Sequence, residues 1–109
     1  MTPAAELPAP IAAAIDAANA NDIEAFLAAF TPDGVVDDWG REFRGPDAIR
    51  GWSDNEFIGA EVSLDVKSVE QREGATAVIA EVGGKGFNGP STFTFDVDGD
   101  RVSRMTIRA

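Results

Sequence analysis

The segment NDIEAFLAAFTPDGVVDD, residues 21–38, changes its hydrophobic period part-way along. Ile23, Phe26, Leu27 and Phe30 recur at i, i+3, i+4 and i+7, the spacing of one helix face. Asn21 is placed to cap that helix, and Glu24 three residues later completes a capping-box pattern. Pro32 cannot continue a helix and Asp33-Gly34 favours a turn, so the helix is expected to end in TPDG. A short strand over VVDDW follows, and it brings two adjacent carboxylates, Asp37 and Asp38, up against Trp39. Neighbouring side chains of a strand point to opposite faces, so these acids cannot share a proton: one faces in and the other out.

Reading outward, Ile11, Ala14, Ile15 and Ala18 repeat the helical spacing, which predicts a first amphipathic helix before the second. After the short strand, REFRG reads as a return strand. Gly45 and Pro46 then suit the cap and first position of a third helix over PDAIRGWSDNEF. From Glu61 the period becomes two: Val62, Leu64 and Val66 alternate with Ser63, Asp65 and Lys67, and ATAVIAEV follows the REG turn as a more apolar strand. GGKGFNGP, residues 83–90, lacks the lysine and hydroxyl ending of a phosphate loop and reads as a wide hairpin turn or bulge. STFTFDV and RVSRMTIRA pair across DGD, a hairpin turn whose glycine comes too early for a calcium loop. Helices grouped before a run of strands imply an α+β domain with the helices packed on one face of a curved sheet.

The chain is 109 residues, enough for one domain with a single core, and its first nine residues read as a loose extension. A formal charge of -10 repels phosphate backbones and anionic membrane surfaces, so neither nucleic acid nor membrane is an expected partner. There is no cysteine and no histidine, which removes thiol catalysis, the Ser-His-Asp arrangement and nearly all zinc sites. Carboxylates are left to carry any proton transfer. Asp96, Asp98 and Asp100 lack imidazole partners and sit at a turn, so no metal site is expected. The N-terminus has no charged-then-apolar leader pattern and no run reaches the length of a membrane span, which reads as a cytoplasmic protein.

The order of elements, with NDIEAFLAAFTPDGVVDD, then FRGPDAIRGW, then FTFDVDGDRVSRM, resembles the nuclear transport factor 2-like superfamily, in the branch of SnoaL-like cyclases and ketosteroid isomerases. The resemblance runs from Ile11 onward. It implies a cone-shaped, cystatin-like α+β barrel in which a strongly curved, mixed but mostly antiparallel sheet wraps a pocket closed by the helices. It also implies a homodimer through the outer sheet face. Fold alone does not give function, because this superfamily hosts isomerases, cyclases, hydrolases and transport factors.

Asp38 falls where the isomerases that this sequence resembles carry their general-base aspartate. A carboxylate in an apolar pocket has its charged form disfavoured, which would move its pKa toward a useful range; the alternative is a strand-end acid paired with Arg41 or Arg44. Abstraction of a proton beside a carbonyl also needs donors for the developing oxyanion. The tyrosine of that family aligns with Ala14, and the chain contains no tyrosine; the second donor aligns approximately with Ser91. A steroid isomerase of the standard mechanism therefore does not follow. Trp39 and Trp52 either line the pocket mouth or belong to the core. Phe57 and Ile58 either close the pocket or staple the third helix to the sheet. Phe87 and Asn88 lie on the glycine-rich connector, and Glu81 is either a second pocket acid or the solvent-facing end of its strand. Met105 and Ile107 share one face of the last strand, toward the pocket, which places Arg104, Thr106 and Arg108 outside. The expected function is a pocket for an apolar, carbonyl-bearing or aromatic small molecule, without a cofactor. Asp38 would be the acid/base of an isomerase or cyclase, or the domain would bind or scaffold without catalysis. An epoxide-opening hydrolase needs acids and an arginine deep in the pocket, and the late strands supply no such inward pair.

Overall fold

A computed structural model describes residues 7–72, 74–86 and 88–108 of the chain. Helix α1 (Ala9–Asn19) buries Ile11, Ala14, Ile15, Ala17 and Ala18, the face that the helical spacing predicts. Its first residue lies inside the expected loose extension, and Leu7 before it already packs against the core. Helix α2 (Ile23–Ala28) is capped one residue later than the sequence pattern suggests: the Asp22 side chain accepts from the Ala25 N–H. Asn21 instead takes a left-handed backbone with φ 56° and donates its side-chain amide to the Ala18 carbonyl, closing α1. Asparagine tolerates that conformation, which makes it the hinge between helices rather than the cap.

The helix ends before TPDG, and β1 (Phe30–Asp38) runs through that motif. The strand keeps its course because the register against its neighbour shifts between Phe30 and Val35, a bulge that accommodates a proline without an N–H. Strands β2 (Arg41–Arg44), β3 (Ser63–Arg72), β4 (Ala75–Gly83), β5 (Gly89–Asp98) and β6 (Arg101–Arg108) complete a mixed sheet in the order β2-β1-β6-β5-β4-β3. Only β1 and β6 are parallel. The sheet does not close into a barrel, since β2 and β3 remain as edges. Further register shifts in β3 and β5 add the local bends that let a sheet wrap around a core.

Helix α3 (Pro46–Glu56) starts after Gly45, whose φ of 88° suits glycine, and leads through Phe57 into a short 3-10 turn, Ile58–Ala60. One core joins the helices to the inner sheet face, with Ile11, Phe26 and Ile49 against Val36, Val78, Phe93, Phe95, Val102 and Met105. Phe57 is its aromatic hub, stacked 4.8 Å from Trp52 and tilted against Phe26 at 5.5 Å and Phe93 at 6.5 Å. On the outer face Asp37 meets Arg104 at 2.9 Å and Arg108 at 3.2 Å, and Arg104 also reaches Glu42. The acids opposite those arginines thus come from β1 and β2 of the same chain. No helix among the described residues is long and apolar enough to cross a membrane.

Candidate functional site

A cavity of about 550 Å³ lies between α3 and the inner face of the sheet, where β1, β5 and β6 converge. Its walls are largely apolar: Trp52 and Phe57 from the helical side, Phe93 and Ile107 from the sheet. Polar groups enter at few places, among them Asp38 at the end of β1, Ser91 on β5, and Glu56 and Lys85 toward solvent.

The local sequence explains how Asp38 comes to face inward. Trp39 and Gly40 both have positive φ, 55° and 92°, as a two-residue hairpin turn with the twist of its flanking strands demands. The turn pairs Asp38 directly with Arg41 in the β1–β2 register. It also leaves Trp39 at the cavity rim, 59 % exposed. Asp37, one residue earlier, points to the opposite face. Its carboxyl is held below the usual range chiefly by the Arg108 hydrogen bond, against the opposing effect of burial, with the Gly40 N–H and Arg104 assisting.

Asp38 is not the isolated acid that an apolar pocket suggests. Its Oδ2 accepts from the Trp52 indole N–H at 3.0 Å and from the Arg41 guanidinium at 2.5 Å. Arg41 is bound in turn to Glu56 through both of its terminal nitrogens, at 2.7 and 3.0 Å. This pairing holds the Glu56 carboxyl below the ordinary range. Among the described hydrogen bonds none ends on Oδ1 of Asp38, so one acceptor oxygen is left over. The acid-arginine-acid array sits at the mouth, with Arg41 half exposed, and comes from β1, β2 and α3 rather than from the late strands.

Asp38, Trp39, Trp52, Phe57 and Ser91 all line the cavity. Trp52 does so from a buried position, with its N–H already committed to Asp38. Met105 does not line it: its side chain is 1 % exposed and belongs to the core beneath. Ile107, one turn of the pleat further along, takes the wall position, because alternation assigns a face but not a depth. Ile58 is core, Glu81 is solvent-exposed, Asn88 caps its own loop by donating to the Gly84 and Gly86 carbonyls, and Phe87 lies outside the described residues. Ala14 is buried on α1 and absent from the cavity wall. Ser91 is 4 % exposed, and no described hydrogen bond engages its hydroxyl. Sequence reasoning missed Glu56, Phe93 and Lys85; the alternation of STFTFDV already put Phe93 on the face of Ser91, whereas Glu56 carries no local signal.

The family profile of the SnoaL-like domain matches residues 11–105. The chain belongs to the SnoaL-like domain family, within the nuclear transport factor 2-like superfamily. No curated protein matches this SnoaL-like chain in sequence. Among solved structures it is similar to a candidate polyketide cyclase from Sinorhizobium meliloti, with 26% identity over 96% of this chain and 98% of that one and a TM-score of 0.84. A protein from Sphaerobacter thermophilus shares 27% identity over 91% of each chain, with a TM-score of 0.75. In fold alone, it also matches RV0760c from Mycobacterium tuberculosis, solved in complex with estradiol-17beta-hemisuccinate, at 17% identity over 94% and 93% of the chains and a TM-score of 0.77.

Proposed function

We propose that this SnoaL-like domain binds an apolar small molecule bearing a carbonyl group in the α3–sheet cavity, with Asp38 as its proton-transfer residue. The observation that carries this reading is the presence, in one largely apolar cavity, of a carboxylate with one oxygen outside every described hydrogen bond and of a serine hydroxyl. A site of that composition suits a ligand held by apolar walls and oriented by a few polar groups. Asp38 would take a proton from the carbon beside the carbonyl, the enolate oxygen would accept a hydrogen bond from Ser91, and the proton would return at the far carbon of the allylic system. With a single hydroxyl as donor, oxyanion stabilisation is weaker than in a site with two strong donors. The likeness to a candidate polyketide cyclase and to a steroid-complexed fold supports a flat, polycyclic ligand.

A second reading, binding without catalysis, is favoured by the engagement of Asp38 Oδ2 by Arg41 and Trp52, because a carboxylate so held can serve as an orienting acceptor alone. Isomerisation of a β,γ-unsaturated cyclic ketone, followed by the absorbance of the conjugated product, separates the two. Proton transfer by Asp38 predicts acceleration by the wild type and a loss of about 10²–10⁴-fold in Asp38→Asn. Equal rates in the two proteins, with quenching of tryptophan fluorescence by the ketone, would establish the binding reading instead. We further propose that the domain forms a homodimer through the outer sheet face. The short side chains of Thr94 and Thr106, paired in the β5–β6 register, support this by leaving that face low enough for a second copy. A monomeric mass in light scattering at micromolar concentration would remove the dimer.

A further inference from the structure

The proposed base stands at a strand end, where a carboxyl group turns freely about its terminal torsion. Two donors from different elements meet the same oxygen: the Trp52 indole from α3 and the Arg41 guanidinium from β2. That convergence fixes the carboxylate plane and leaves Oδ1 as the remaining acceptor. Arg41 is itself fixed. It sits opposite Asp38 in the hairpin register, its guanidinium carbon lies 5.6 Å from the centre of the Phe43 ring, and Glu56 holds it through two nitrogens. An acid on the last residue of a helix is placed against the negative end of the helix dipole. Glu56 is tolerated there because it meets a guanidinium, and the fork-like contact gives Arg41 one geometry. Exposed ion pairs contribute little to stability, so half-exposed pairs centred on Arg41 are poorly explained as a brace for the fold.

We infer that Arg41, clamped by Glu56, is a positioning residue that sets the Asp38 carboxylate with Oδ1 presented to the substrate. The inference rests on the reading of Asp38 as the base. Orientation of a reacting group is realised in the chemical step, so its loss lowers kcat and leaves substrate affinity nearly intact.

The test uses the isomerisation of the β,γ-unsaturated ketone with the full chain. Arg41→Ala is expected to lose about 10-fold or more in kcat with KM within about twofold of wild type. Because the vacated site is open to solvent, millimolar guanidinium chloride should restore part of the lost rate, and sodium chloride at equal ionic strength should not. Glu56→Gln is expected to produce a smaller fall in the same direction. Arg41→Gln keeps the first methylenes of the side chain and serves if the alanine variant does not fold. Full kcat in the Arg41 variants, alongside loss of activity in Asp38→Asn, overturns the inference and leaves the base in place. A fall in kcat that guanidinium does not rescue also overturns it, by assigning Arg41 a structural role. Equal rates for wild type and Asp38→Asn overturn the base reading and the inference with it.

Discussion

At the scale of single residues, the DDWG motif places three side chains in three environments within four positions. Asp37 serves the outer face, Asp38 the cavity and Trp39 the rim, and the hairpin turn requires the glycine that follows. Gly40→Ala forces a side chain into φ 92° and should cost about 1–2 kcal/mol in chemical denaturation. Trp39→Asn keeps a residue that favours the turn, so it should leave stability unchanged or slightly raised while weakening ligand binding. Asp37 gives a pH-dependent prediction. Its folded-state pKa lies below the unfolded value, so its contribution to stability is present above about pH 3.9 and is lost as the pH falls through the folded value. Asp37→Asn should therefore destabilise by about 1–3 kcal/mol at neutral pH, with the gap to wild type closing in acid. A gap that persists in acid would assign the effect to packing.

At the scale of elements, the edge strand β3 is secured by a side chain that imitates a neighbouring strand. Asn19, the last residue of α1, accepts from the Leu64 N–H at 2.7 Å and donates to the Leu64 carbonyl at 3.0 Å. Asn19→Ala exposes both groups on a sheet edge. It should cost about 1–2 kcal/mol, speed exchange of the Leu64 amide above that of the wild type, and favour association between chains. The link from α3 to β3 is equally constrained. A Cβ on Gly59 would lie 1.6 Å from the Asp54 carbonyl oxygen, so Gly59→Ala must shift the 3-10 turn that follows Phe57. Because Phe57 stacks on Trp52, that shift should reach the cavity and alter tryptophan fluorescence even without ligand. Most of these elements were legible in the sequence, since a change of hydrophobic period from helical spacing to alternation follows directly from which face is buried. The boundaries were less so. The TPDG turn became a bulge within β1, and the cap moved from Asn21 to Asp22, because the conformation of each depends on what the chain packs against next.

At the scale of the whole molecule, the sheet and its helices assemble a cavity from residues far apart in sequence. Asp38 and Ser91 were singled out from the chain because each stood at a position that a resembled family uses, and Trp52 because a large aromatic either lines a pocket or fills a core. Met105 and Ile107 could not be separated, since period two carries no information about depth. The pairing of Arg41 with Glu56 was hidden for a different reason: it joins a hairpin to a helix end, and neither local pattern refers to the other. The same geometry makes ligand binding in the cavity directly observable. The chain has two tryptophans and both line the cavity, with the Trp52 indole N–H bound to Asp38, so a nitrogen-proton correlation spectrum carries two indole reporters of the site. We would titrate the protein with acetonaphthone, a flat aromatic ketone, and follow the backbone amides and both indoles. Binding in the cavity should produce saturable shifts at the Trp39 and Trp52 indoles and at the amides of Asp38, Phe57, Ser91, Phe93 and Ile107. Shifts confined to the outer sheet face would contradict binding in this cavity.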